Sequence, residues 1–181
     1  MKKILLTLTF VSFVFAMQSA TGQDWKPTTA AITFKIKHAL GAYADGKFGG
    51  LAATVNFDAD NLSSSSISAS VKTATFDTDN SIRDKELKSD EYFDVAKYPT
   101  ITMKSTSIAK GSGANSYIGT FDLTIKNKTK SIKIPFTFTE NGSTGTFQGQ
   151  FTIDRTEFGV GEETRLLSND AKISIKLNVK K

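Results

Sequence analysis

Apolar and polar residues alternate along most of this chain. Between 132 and 139, Ile132, Ile134, Phe136 and Phe138 are apolar, and Lys133, Pro135, Thr137 and Thr139 stand between them. Successive side chains on a β-strand point to opposite faces, so this spacing builds one apolar face and one wetted face. The same rhythm runs through Tyr117, Gly119, Phe121, Leu123 and Ile125, through Phe147, Gly149, Phe151 and Ile153, and through Ala171, Ile173, Ile175, Leu177 and Val179. It predicts eight strands, at roughly 30–38, 46–57, 66–74, 100–108, 116–126, 130–139, 145–154 and 171–179. The connections carry turn chemistry, as in Asp58-Ala59-Asp60-Asn61, Lys126-Asn127-Lys128 and Asn141-Gly142-Ser143, and Asn141-Gly142 is a strong hairpin signal. Strands with one apolar face must turn those faces toward each other. A closed antiparallel barrel does this and also removes the unpaired sheet edges. The predicted fold class is therefore all-β, an eight-stranded antiparallel barrel, and a barrel of this size can enclose a dry interior suited to a lipid-like ligand.

Residues 78–92 break the rhythm. Asp79 is a plausible N-cap, and Ile82 and Leu87 can share one face of a short helix between the third and fourth strands. Phe93 then tucks the return into the barrel, and Tyr98-Pro99 opens the next strand. A second long connection, Arg155 to Asp170, contains Phe158-Gly159-Val160-Gly161 and is expected to close one barrel end.

Composition changes the picture at the N-terminus. Lys2 and Lys3 precede an apolar run from Ile4 to Met17, and Ala20-Thr21-Gly22 supplies small residues for a peptidase. Residues 1–22 thus read as a secretory signal peptide cleaved before Gln23, too short for a membrane anchor. Residues 23–181 then form one domain, with no integral membrane span after cleavage. Its formal charge falls from +5 to +3 with the loss of Lys2 and Lys3. The densest basic groups, around Lys126–Lys133 and at the C-terminus, lack interleaved aromatics and read as solvated strand faces, not a nucleic-acid surface. The chain has no cysteine and one histidine, His38, so a disulfide framework, thiolate chemistry and multi-histidine metal sites are all excluded.

Few residues could carry chemistry. His38 is in phase with Ile32, Phe34 and Ile36; it is either a packed histidine or a polar contact for a ligand head group. Arg83, in the predicted helix next to Asp84, is either a local ion pair or capping contact or a head-group clamp at the barrel mouth, since arginine suits phosphate or carboxylate. Arg155 ends the seventh strand and either pairs with a carboxylate at the rim or serves as a third head-group candidate. Asp58, Asp60 and Asn61 lack the glycine and distal glutamate of a calcium loop and read as a plain turn. No catalytic residues, metal ligands or cofactors are predicted.

Taken in order, several segments resemble the YceI-like family of exported lipid-binding proteins. These are Phe34-Lys35-Ile36-Lys37-His38, Gly46-Lys47-Phe48, Val55-Asn56-Phe57-Asp58, Arg83-Asp84 with Leu87, Phe93-Asp94-Val95-Ala96-Lys97-Tyr98-Pro99, and Arg155-Thr156-Glu157-Phe158-Gly159. Residues 124–129 depart from the family pattern by lacking its histidine-glycine pair. The resemblance implies a lipocalin-like barrel, periplasmic or secreted, whose elongated cavity holds a polyisoprenoid or similar amphiphile such as a polyprenyl phosphate or a quinone. The expected lining is Phe34, Phe57, Phe121, Phe136, Phe138, Phe147 and Phe151, with His38, Arg83 or Arg155 orienting the head. The expected role is a non-enzymatic carrier or scavenger. Two alternatives stand beside it: a small outer-membrane barrel with its apolar face outward, and a hydrolase or isomerase using His38 with Asp84 or Asp94. Oligomeric state stays open, a dimer through loops included.

Overall fold

The computed structural model describes residues 23–39 and 41–181, so the expected signal segment, residues 1–22, lies outside the described residues. In chain order the elements are β1 (Asp24–His38), β2 (Tyr43–Phe48), β3 (Ala52–Asn56), β4 (Ser66–Lys72), β5 (Phe76–Asp77), α1 (Ser81–Leu87), β6 (Thr100–Lys110), β7 (Ser116–Ile125), β8 (Lys128–Asn141), β9 (Thr144–Asp154) and β10 (Leu167–Lys180). Neighbouring strands from β10 back to β3 pair in the order β10-β9-β8-β7-β6-β4-β3-β1, and β1 pairs again with β10. That second pairing, running from Lys26 opposite Lys180 to His38 opposite Leu167, closes an eight-stranded antiparallel barrel.

β1 is longer than its alternation predicts. Residues 24–31 are exposed except for Trp25, so no apolar rhythm announces this half of the strand. Its first residues pair with β3 (Asp24 with Asn56, Trp25 with Val55) and its second half with β2 (Ile32 with Phe48 through Lys37 with Tyr43). One continuous strand over 46–57 cannot serve both halves. The chain breaks at Gly49-Gly50, where Gly50 takes a left-handed φ of +66°, a conformation glycine adopts without a Cβ penalty. β2 and the two-residue β5 form a flap beside the ring.

The alternation decides which way each strand faces. On β8, Ile134, Phe136 and Phe138 are buried while Lys133, Pro135, Thr137 and Thr139 are exposed. The apolar face points inward and the lysine and threonine face points out, the reverse of a lipid-facing membrane barrel. At one end, called the base here, the interior is solid. Trp25, Phe57, Tyr117, Phe136, Phe138 and Phe147 pack together. Phe138 stacks on Phe147 with centroids 4.4 Å apart, Trp25 meets Phe138 edge-on at 5.1 Å, and the Trp25 indole N–H donates to the Phe57 carbonyl at 3.0 Å. Each buried ring gains roughly 1.5–3 kcal/mol from leaving water.

α1 starts one residue later than the sequence suggests. Asn80 is the N-cap, its Oδ1 accepting from the Ile82 and Arg83 amides at 3.1 and 3.0 Å. Asp79 instead occupies a left-handed turn position, with φ of 55°. Ile82 and Leu87 do not share a face: five residues at about 100° each place them well apart, and Ile82 is 80% exposed while Leu87 turns into the barrel.

Candidate functional site

Above the aromatic base the interior is open. Strand positions that face inward here, among them Phe34, Ile36, Met103, Phe151 and Ile153, are only half-buried because they border empty space rather than other side chains. The main cavity, about 160 Å³, lies between β1, β10, β9 and β6 and is covered by Leu87, Phe93 and Val160. A smaller chamber of about 70 Å³ lies beneath it, walled by Phe121, Ile134, Phe136, Phe147 and Leu177. Both walls are almost wholly apolar, so both spaces favour hydrocarbon over water.

The cover is built by two loops and two cations. The Gly161 amide donates to the Glu91 carbonyl at 2.9 Å, joining the loop after α1 to the loop before β10. Lys126, held at φ of 55° in the β7–β8 turn, sends its Nζ to the Asp90 carbonyl at 3.0 Å and the Gly159 carbonyl at 2.9 Å. Below them Arg155 is 3% exposed. Its Nε donates to the Ser168 carbonyl at 3.1 Å, Nη1 to Val160 at 2.8 Å and Nη2 to Glu162 at 2.8 Å. Among the described residues no carboxylate lies in ion-pair contact with Arg155; its partners are backbone carbonyls, not the rim carboxylate that the sequence suggests. A guanidinium has five N–H donors, and three are spent on these carbonyls. Tyr92 borders the same end of the cavity, its phenol pushed above its ordinary pKa by burial and by Glu86 and Glu91, against the pull of Arg155. Tyr92 is therefore a neutral hydroxyl at physiological pH.

The predicted site residues separate into groups. Phe34 and Phe151 line the main cavity; Phe121, Phe136 and Phe147 line the lower chamber. Phe57 and Phe138 line neither and belong to the base. Among the polar candidates, only Arg155 borders the cavity. Arg83 is occupied with Thr78, its Nε donating to Thr78 Oγ1 at 2.9 Å and Nη2 to the Thr78 carbonyl at 2.6 Å. Thr78 Oγ1 in turn donates to Asp84 at 2.6 Å, which locks the start of α1. His38 is half-buried at the end of β1, where its amide donates to the Ala42 carbonyl at 2.8 Å. Among the described residues, no side-chain bond ties it to Asp84 or Asp94.

Phe93 tucks into the barrel as the sequence suggests, but sequence reasoning missed Phe48, Tyr92, Met103 and Lys126. Phe48 had a readable signal, since Gly46 and Phe48 continue a period of two. Gly46 stands opposite Phe34, and a Cβ there would fall on the Phe34 ring; the glycine lets Phe34 lie across its neighbour and project into the cavity. Lys126 had none, because its partners come from loops 36 and 33 residues away in the chain.

Comparison with known proteins gives a consistent result. The family model described as YceI-like domain matches residues 24–179. Protein YceI of Escherichia coli O157:H7 is 34% identical over 138 residues, covering 74% of this chain and 71% of that protein. A UPF0312 protein of Pectobacterium atrosepticum is 30% identical over 185 residues, covering 97% and 95%. Among solved structures, Burkholderia cenocepacia BcnA superposes with a TM-score of 0.78 at 29% identity, covering 82% of this chain and 95% of that one. A polyisoprenoid binding domain from Saccharophagus degradans, at 12% identity and a TM-score of 0.67 over 87% of this chain and 97% of that one, has the same fold.

Proposed function

We propose that this chain, which belongs to the YceI-like family, is an exported, non-enzymatic carrier or scavenger of a long isoprenoid-type lipid. The observation that carries this reading is the cavity itself: an unfilled barrel interior above a packed base, walled almost entirely by hydrocarbon side chains. Each methylene moved from water into such a space gains roughly 0.8 kcal/mol gross. The net affinity is far smaller, because the tail must be ordered and the pocket must adjust. A branched, rigid prenyl chain loses less freedom on ordering than a saturated one. The polyisoprenoid binding by the Saccharophagus degradans domain of the same fold supports this choice of tail.

Arg155 is assigned to the head group ahead of Arg83 and His38. It is the candidate that borders the cavity, its three hydrogen bonds use three of five N–H donors, and among the described residues no carboxylate is in ion-pair contact with it. A phosphate or a polar quinone oxygen drawn to that end would complete its coordination. Tyr92 is placed to add a hydroxyl. The basic start and apolar run of residues 1–22 read as an export signal and support a periplasmic or extracellular location.

A cavity-filling variant tests the reading. Ala171 points into the main cavity from β10, and Ala171→Phe fills it without adding charge. Uptake of the apolar dye N-phenylnaphthylamine, and its displacement by geranylgeraniol, is expected to weaken at least severalfold while the fold is kept. Unchanged uptake in a folded Ala171→Phe protein overturns the assignment of the lipid site.

A further inference from the structure

Four residues, Leu51, Ala69, Met103 and Ile175, line both the main cavity and the lower chamber. They form the neck between the two. Of these four, Met103 alone also packs against both buried clusters, the aromatic base and the Leu123–Phe158 group beneath the cover. It is unbranched and flexible, the side chain best able to fill or vacate a gap of this kind. Leu51 and Ile175 are branched and bring less adjustable bulk, and Ala69 brings little. Resting on the lipid-binding reading, we infer that Met103 is the length-determining residue of the site: it stops the tail at the floor of the main cavity and closes the lower chamber to it.

This assigns the ligand class more narrowly, to prenyl chains that fill the main cavity and end at the neck. A hydrophobic pocket discriminates strongly against a chain that must displace a wall, and only modestly among chains that fit. Removing the stop should therefore join the chambers and admit longer tails. The sole tryptophan of the chain reports on this directly. Trp25 meets Phe138, which stacks on Phe147 in the wall of the lower chamber. A tail that reaches the lower chamber perturbs the indole; one that stops at the neck does not.

The experiment titrates the mature wild-type protein, Met103→Ala and Met103→Phe with geraniol, farnesol, geranylgeraniol and solanesol, following dye displacement and Trp25 emission. Met103→Ala is expected to favour the longer alcohols by roughly tenfold or more relative to the wild type, with a new Trp25 response to them. Met103→Phe is expected to leave the shorter alcohols bound and Trp25 silent. The opposite signs separate a lost stop from general loosening. Three proteins with the same length preference, or a wild-type Trp25 that already responds to long chains, overturn the assignment of Met103 while leaving the lipid reading intact. A wild-type protein that displaces dye with none of the series overturns that reading, and the neck with it.

Discussion

Arg155 is the residue on which the covered end of the barrel depends. It ties the strand end at Ser168 to Val160 and Glu162 in the closing loop. Replacing it by methionine removes the cation and strands three carbonyls, so Arg155→Met is expected to lose about 3–5 kcal/mol in chemical unfolding; a loss below about 1 kcal/mol contradicts its bracing role. The neighbouring Asp154 sets a pH dependence. Its carboxylate accepts from the Thr156 hydroxyl and amide, which hold it below its ordinary pKa of 3.8. A carboxylate with a lowered folded pKa contributes stability that is present above the unfolded value and lost as pH falls through the folded one. Wild type should therefore lose melting temperature more steeply than Asp154→Asn below about pH 4; parallel curves contradict this. Arg155 stood out in the sequence as an arginine at a strand end, but its carbonyl partners come from a loop whose path no local pattern specifies.

At the scale of elements, alternation settles orientation. Phe136 faces inward and Lys133 outward on β8. Phe136→Asp places an unpaired charge in the apolar interior and is expected to cost several kcal/mol or prevent folding. Lys133→Glu should change stability by no more than about 0.5 kcal/mol. Equal effects in thermal melts contradict the assignment of faces. The strands from β6 to β10 were legible because each alternates along its inward face. The first half of β1 was not, since it is exposed except at Trp25 and is held by pairing with β10 and β3. The split of β2 from β3 at Gly49-Gly50 is likewise set by the two partners that β1 must serve, a tertiary demand rather than a local preference. The cap of α1 was misread by one residue because Asp79 and Asn80 are both good caps, and only the left-handed turn at Asp79 decides between them.

At the scale of the whole molecule, the periodicity predicted a closed barrel with a greasy interior, but not how that interior divides. Phe57 and Phe138 are as apolar and as well phased as Phe34 and Phe151, yet the first two fill the base and the second two line the open cavity. Period two reports the face of a strand and carries no information on height along the barrel axis. That height follows from strand tilt and register, and it decides which rings become core and which become binding surface. The open upper interior is proposed to hold an isoprenoid-type lipid. Native mass spectrometry of the protein purified without added lipid is the decisive measurement. A bound mass that fragments as a prenyl chain is expected, lost or strongly reduced in Ala171→Phe. A wild-type protein that carries no lipid and takes up no isoprenol when offered one, or a bound mass that persists undiminished in Ala171→Phe, contradicts it.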